Sequence, residues 1–119
     1  MNFRSHKIEK AYHKHRQDLG HEVCLLCDGL KAKVTKNFKH WVILSNKFPY
    51  DKIAKNHDLL VIKNHIASLD KLSKEESEEL FKIKTTHLPK MNYCLILENL
   101  PKRQSVKGHY HFHLVELKD

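Results

Sequence analysis

The chain has 119 residues, 40% hydrophobic and 30% charged, which suits one folded domain and excludes wholesale disorder. No apolar stretch is long enough to span a membrane, and Met1-Asn2-Phe3-Arg4-Ser5-His6-Lys7 lacks the apolar core of a secretory leader, so a cytoplasmic protein with no membrane partner is expected. The formal net charge of +8 with neutral histidines points to anionic partners such as nucleotides or nucleic acid, the alternative being a solvated Lys-rich surface.

Residues 4–18 are polar and basic, and Ile8, Ala11, Tyr12 and Leu19 form a thin apolar stripe, which predicts a surface helix ending near Gly20. Cys24-Leu25-Leu26-Cys27 follows. Residues 33–38 read as a weak strand and His40-Trp41-Val42-Ile43-Leu44 as a stronger one, broken by Asn46-Lys47-Phe48-Pro49-Tyr50. His57-Asp58-Leu59-Leu60-Val61-Ile62 is a largely apolar third strand, expected at the sheet centre. Ser73 and Glu76 fit a capping box that opens a helix, with Leu80, Phe81 and Ile83 as its buried face and Pro89 as its end. Residues 91–97 read as a fourth strand with a buried run Tyr93-Cys94-Leu95-Ile96-Leu97. A polar loop, 99–108, leads to the last strand. The expected class is α+β, with helices packed on a mainly antiparallel sheet of about five strands.

That last strand, His109-Tyr110-His111-Phe112-His113-Leu114-Val115, alternates histidine with large apolar residues. Successive strand side chains point to opposite faces, so three imidazoles share one face and Tyr110, Phe112 and Leu114 the other. The apolar face can dock on a core. The imidazole row can supply nucleophiles, proton carriers or metal ligands, or simply be an exposed polar face. Cys24 and Cys27 have the two-residue gap that lets one turn present both sulfurs to one zinc ion, and two histidines would complete a Cys2His2 site. Eleven histidines are on offer, so spacing does not choose among them, and a redox pair or two unrelated cysteines stay open.

His-Tyr-His-Phe-His-Leu-Val resembles the His-φ-His-φ-His-φ-φ signature of the histidine triad (HIT) superfamily, where φ is apolar. The resemblance extends to the turn at 46–50, to 57–65 as the family's third strand with a histidine at each end, to the helix start at 69–79, and to Asn99 and Gln104-Ser105-Val106 before the triad. It covers roughly residues 24–117, which divides the chain into a basic N-terminal extension, 1–22, and a HIT domain, 23–119.

The resemblance implies a nucleotide hydrolase or transferase acting at an α-phosphate. His111 would be the nucleophile, forming a nucleotidyl-histidine, and His113 and His57 would contact phosphoryl oxygens or the leaving group. Asn46 occupies the ribose position and Asn99 the phosphate-side asparagine position, with Gln104 or Ser105 as further donors. Cys24, Cys27, His65 and His109 match the ligands of the structural zinc in some members. Members that transfer nucleotidyl groups tend to carry Gln at the third triad position; His113 tilts the reading to hydrolysis of nucleoside phosphoramidates, dinucleoside polyphosphates or similar adducts. HIT relatives are commonly homodimers, and a homodimer is expected on that ground alone.

The sequence departs from the family pattern at Ile62, where proline is usual, and in the loop after Asn99, which has no glycine before Gly108. The rival readings are a nucleotidyltransferase or phosphorylase of the same superfamily, and a non-catalytic nucleotide- or nucleic-acid-binding module. For the last, Arg4, Lys7, Lys10, Lys14 and Arg16 give the first helix a basic face, although a solvated helix packed through Ile8 and Tyr12 is the preferred reading.

Overall fold

A computed structural model describes residues 3–20, 24–30, 33–100 and 108–119. Its elements are α1 (His6–Leu19), α2 (Leu25–Gly29), β1 (Val34–Asn37), β2 (Trp41–Ser45), β3 (Ala54–Ile62), α3 (Lys74–Lys82), β4 (Leu95–Leu97) and β5 (His111–Leu117). The five strands form one sheet in the order β1-β2-β3-β5-β4, every pairing antiparallel. The expected α+β class with about five strands is what the chain adopts.

Strand alternation puts apolar side chains on both faces of the central strands. Trp41 and Ile43 of β2, Leu60 and Ile62 of β3, and Phe112 and Leu114 of β5 meet Leu80, Ile83 and Leu88 on one face. Val42, Leu44, Leu59 and Val61 point the other way and meet Leu26 of α2. The histidines of β5 share this second face, because His111 pairs with Val61 and His113 with Leu59.

α3 starts where the sequence places it. The Ser73 hydroxyl accepts from Glu76 N–H at 3.1 Å and Glu76 Oε1 accepts from Ser73 N–H at 2.8 Å. Glu76 is buried, and its carboxylate also accepts from the Asn64 amide at 2.8 Å. Those hydrogen bonds, the one from the Ser73 backbone foremost, hold its pKa below the usual carboxylate range. After Lys82 the helical bonding widens to a π turn (Ile83–His87) and then narrows to a 3-10 turn (Leu88–Lys90). Pro89, which has no N–H to donate, falls in this irregular exit.

Two expectations are corrected. Phe81 is not part of the buried face of α3: the residue is 71% exposed. Leu80 and Ile83 are three apart and share a face, whereas Phe81 points about 100° away from Leu80. The fourth strand is Leu95–Leu97 only, and it is not a buried run, since Leu95 and Ile96 are exposed. It lies at the sheet edge, and among the described residues it pairs with β5 alone.

Ser73→Ala is expected to cost about 1 kcal/mol in urea unfolding through the lost cap. Phe81→Ala is expected to change stability by less than about 0.5 kcal/mol, as befits a surface ring.

Candidate active site and metal centre

His109, His111 and His113 are all buried, which removes the exposed-polar-face reading. A buried imidazole must have partners for its ring nitrogens, and those partners decide which nitrogen holds the proton. His111 Nδ1 lies 2.8 Å from the carbonyl oxygen of His109. A carbonyl only accepts, so Nδ1 carries the hydrogen and Nε2 of neutral His111 keeps its lone pair.

The neighbouring ring has the opposite arrangement. The backbone N–H of Tyr50 donates to His57 Nδ1 at 2.9 Å, so the proton of neutral His57 sits on Nε2. His57 Nε2 then donates to His113 Nδ1 at 2.9 Å, and the proton of His113 is forced onto its Nε2. The Tyr50 hydroxyl lies 3.5 Å and the Asn99 amide 3.3 Å from that nitrogen. The rings of His111 and His113 meet edge to face with centroids 5.2 Å apart. A lone pair on one ring thus stands beside an N–H donor on the next.

Both rings line a cavity of about 390 Å³ whose wall also carries Asn46 and the apolar side chains of Leu25, Leu26, Leu44 and Leu59. Asn46 amide nitrogen lies 3.3 Å from each ring nitrogen of His57, and its oxygen accepts from Phe48 N–H at 2.9 Å. His57 reaches the cavity wall through its bond to His113. Gln104 and Ser105 lie outside the described residues. Sequence reasoning missed Tyr50, whose backbone sets the His57 tautomer and whose ring stacks on His113 at 5.0 Å. It also missed that the N-terminal segment reaches the cavity, through Arg4 and through Tyr12 and His15 of α1.

Burial keeps these rings neutral. Desolvation is the main cause of the fall in the pKa of His57 to about 4, with the charge of Arg4 adding to it. Desolvation again leads for His113, lowered to about 3, followed by the charges of His111, His57 and Arg4. His111 is lowered by desolvation, partly offset by its bond to the His109 carbonyl.

Cys24, Cys27, His65 and His109 form a second cluster, whose ligand atoms all lie within 4.8 Å of one another. Sulfur-to-nitrogen separations are 3.4 Å (Cys24 to His109), 3.2 Å (Cys27 to His65) and 3.3 Å (Cys27 to His109), and the two Nδ1 atoms are 3.3 Å apart. A tetrahedron with bonds of about 2.3 Å to sulfur and about 2.0–2.1 Å to nitrogen has edges of about this length. His109 Nε2 donates to the Ile62 carbonyl at 2.8 Å, which leaves the Nδ1 lone pair facing the cluster. Gly108 has φ +81°, a conformation that favours glycine, and delivers His109 to this position. The donor set and its spacing fit a metal ion. Cys24 and Cys27 are therefore brought together with two histidines, not with each other alone.

No protein-family model matches the sequence, and no curated protein matches it. Solved structures do resemble it. A HIT family hydrolase from Clostridium thermocellum is 19% identical, with 84% of this chain and 95% of that one covered and a TM-score of 0.63. A HIT family hydrolase from Legionella pneumophila Philadelphia 1 is 25% identical, covering 78% and 91%, with a TM-score of 0.52. A histidine triad nucleotide-binding protein from Candida albicans is 25% identical, covering 82% and 76%, with a TM-score of 0.58. Among the described residues, no helix is long and apolar enough to cross a membrane.

The lowered pKa values predict acid sensitivity. In the unfolded chain each imidazole takes a proton near its ordinary value of 6.5, while folded His57 and His113 refuse it until about 4 and about 3. Protonation therefore favours the unfolded state as pH falls through that window, and stability is highest above it. The melting temperature should drop from pH 7 to pH 4, and His113→Asn should make that slope shallower; an unchanged slope would show that His113 is not held neutral. The antiparallel five-stranded sheet, the alternating triad strand it carries and these structural likenesses give the chain the fold of histidine triad proteins.

Proposed function

We propose that the protein is a nucleotide hydrolase that cleaves nucleotide adducts at the α-phosphate through a nucleotidyl-His111 intermediate. The pairing of tautomers supports this most directly: His111 Nε2 has a lone pair, and the adjacent His113 Nε2 has a proton to give. In the first step the His111 lone pair forms a bond to the α-phosphorus. The bond from phosphorus to the leaving group breaks, and the leaving atom takes the Nε2 proton of His113, which the bound phosphate holds as the imidazolium and which becomes neutral imidazole. Positive charge develops on the His111 ring, where the His109 carbonyl already accepts from Nδ1. In the second step a water attacks the same phosphorus and passes a proton to His113. The bond to His111 breaks, a mononucleotide leaves, and both rings return to their starting state.

The rest of the cavity suits this role. The apolar side chains of Leu25, Leu26, Leu44 and Leu59 in its wall could pack on a nucleoside, and Asn46 would offer a ribose hydroxyl a polar partner. His57 acts through His113, fixing its tautomer. An arriving phosphate favours the charged form of His113 and so offsets its desolvation. The names of the solved likenesses, hydrolase and nucleotide-binding protein, agree with the reading. Phosphoramidates, dinucleoside polyphosphates and similar adducts are the substrate classes it embraces. His113, where transferases of the superfamily tend to carry Gln, favours water over phosphate or a sugar phosphate as acceptor. The motif's reach makes 23–119 the catalytic domain and 1–22 an appended segment, and a homodimer is expected by analogy with the superfamily.

The cluster of Cys24, Cys27, His65 and His109 would hold a structural zinc ion, whose contribution is to cross-link the segment before β1 to the triad strand. About one zinc per chain is expected by elemental analysis, lost in Cys24→Ser together with a marked fall in melting temperature. A native preparation without metal that unfolds at the same temperature would remove this assignment.

His111→Ala should lower the rate of adenylate release from adenosine phosphoramidate or diadenosine triphosphate by at least about a thousandfold. Acid-quenched single turnovers with labelled substrate should show an acid-labile nucleotidyl-protein in the wild type and none in the variant. Equal rates for the two proteins would leave a binding module in place of an enzyme. Nucleoside diphosphate in place of mononucleotide, with phosphate present, would mean a phosphorylase.

A further inference from the structure

The N-terminal segment lies outside the HIT-like part of the chain, yet it builds one wall of the cavity. Arg4 and Tyr12 line it together with His111 and His113. The segment is fastened to the turn after β2. Lys52 N–H donates to the Phe3 carbonyl at 2.9 Å, Ser5 N–H to Asp51 Oδ1 at 2.6 Å, and Arg4 Nε to the Phe48 carbonyl at 2.8 Å. Tyr12 packs edge-on against Phe48 with centroids 5.4 Å apart. The same turn carries Asn46 and Tyr50, both bonded to His57. Docking of α1 and placement of the histidine relay therefore share one support.

Arg4 is held firmly at this wall. Its guanidinium carbon lies 4.6 Å from the centroid of Tyr12 and 5.1 Å from that of Tyr50. Tyr50 in turn stacks on His113 with centroids 5.0 Å apart and planes at 23°. One aromatic ring thus connects a fixed cation to the triad, and the Arg4 side chain is only 11% exposed. Its charge bears on both His57 and His113. Glu9, 3.9 Å from one guanidinium nitrogen, also pairs with His13 at 3.2 Å. Among the described residues lining the cavity, Arg4, Lys33 and Lys47 are cationic and Asp28 is the one acid.

The apolar side chains of the cavity wall offer nothing to a phosphate. Arg4 places a guanidinium against Tyr50, the ring that stacks on the group that would protonate the leaving atom. We propose that the α1 segment supplies a leaving-group subsite in which Arg4 recognises a phosphate attached to the α-phosphate, so that phosphoanhydrides are favoured over phosphoramidates. This rests on the reading of His111 as attacking the α-phosphate. In such a substrate the bond from the α-phosphorus to the bridging oxygen breaks, the departing phosphate takes the His113 proton, and Arg4 balances the charge that grows on it. A phosphoramidate releases an amine, which gains nothing from a cation at that point.

The test compares diadenosine triphosphate with adenosine phosphoramidate. Arg4→Ala should lower the ratio of the two kcat/KM values about tenfold, the scale of a charge-assisted hydrogen bond. Arg4→Lys should retain part of the preference. Lys7→Ala, on the exposed side of α1, should leave the ratio within about twofold. An unchanged ratio in an Arg4→Ala protein with native melting behaviour overturns the subsite, and so does an equal loss in Lys7→Ala, which would indicate net charge alone. Calorimetry with ADP and AMP needs no turnover and no variant that folds poorly. The wild type should bind ADP about tenfold more tightly than AMP, and equal affinities overturn the proposal. A protein that prefers ADP in this way but hydrolyses neither substrate loses the hydrolase reading and keeps the subsite.

Discussion

Antiparallel pairing of β3 with β5 puts His57, His113 and His111 on one face of the sheet, and backbone groups beside that face then decide the protonation of each ring. Two main-chain contacts suffice. The His109 carbonyl holds a hydrogen on His111 Nδ1, and the Tyr50 N–H withholds one from His57 Nδ1. Everything after that is forced, since a neutral imidazole has one donor and one acceptor. A shift of β5 by one residue would send the histidines to the α3 side and Phe112 to the cavity. The register is secured because Phe112, Leu114 and Tyr110 fill a core that contains Trp41 and Ile83. Apolar packing on one face thus guarantees polar chemistry on the other.

The second cluster is joined to the first through His109. Its ring faces Cys24, Cys27 and His65, while its carbonyl sets the tautomer of His111. Cys24 also caps α2, and Leu25, Leu26 and Gly29 of that short helix line the cavity. Five residues are too few for a helix to stand on propensity alone. α2 is held by Leu26 in the core and by the two cysteines at its start. Whatever orders this cluster of sulfur and nitrogen atoms therefore orders a cavity wall and the carbonyl partner of His111 together.

Much of this was legible in the sequence where the information is local. Alternation in 109–115 identifies the two faces of β5, and the Ser73 and Glu76 spacing identifies the start of α3. Family resemblance, not spacing, singled out His65 and His109 from eleven histidines. What stayed hidden depends on contacts between residues far apart in the chain. The role of Tyr50 belongs to its backbone N–H, which every residue but proline has, so its side chain gave no signal. Arg4 meets Phe48 across 44 positions, and no local pattern encodes that distance. Phe81 and the run at 93–97 misled for a related reason: hydrophobicity alone does not say which face is turned in or which strand lies at an edge.

The site also explains why its histidines are buried at a cost. An exposed imidazole near neutral pH would divide its population between charged and neutral forms, and the charged form has no lone pair to attack with. Taking the rings out of water removes that division, at the expense of stability in acid. The same exclusion of water lets a fixed N–H or a guanidinium act on a phosphate with less screening than at the surface. Arg4 contributes to both sides of this balance. Its charge helps keep His57 and His113 neutral while the cavity is free of anions, and would attract the anion that reverses the bias. A cation placed one ring away from the relay is therefore consistent with a site that stays neutral in waiting and becomes protonatable only when phosphate arrives.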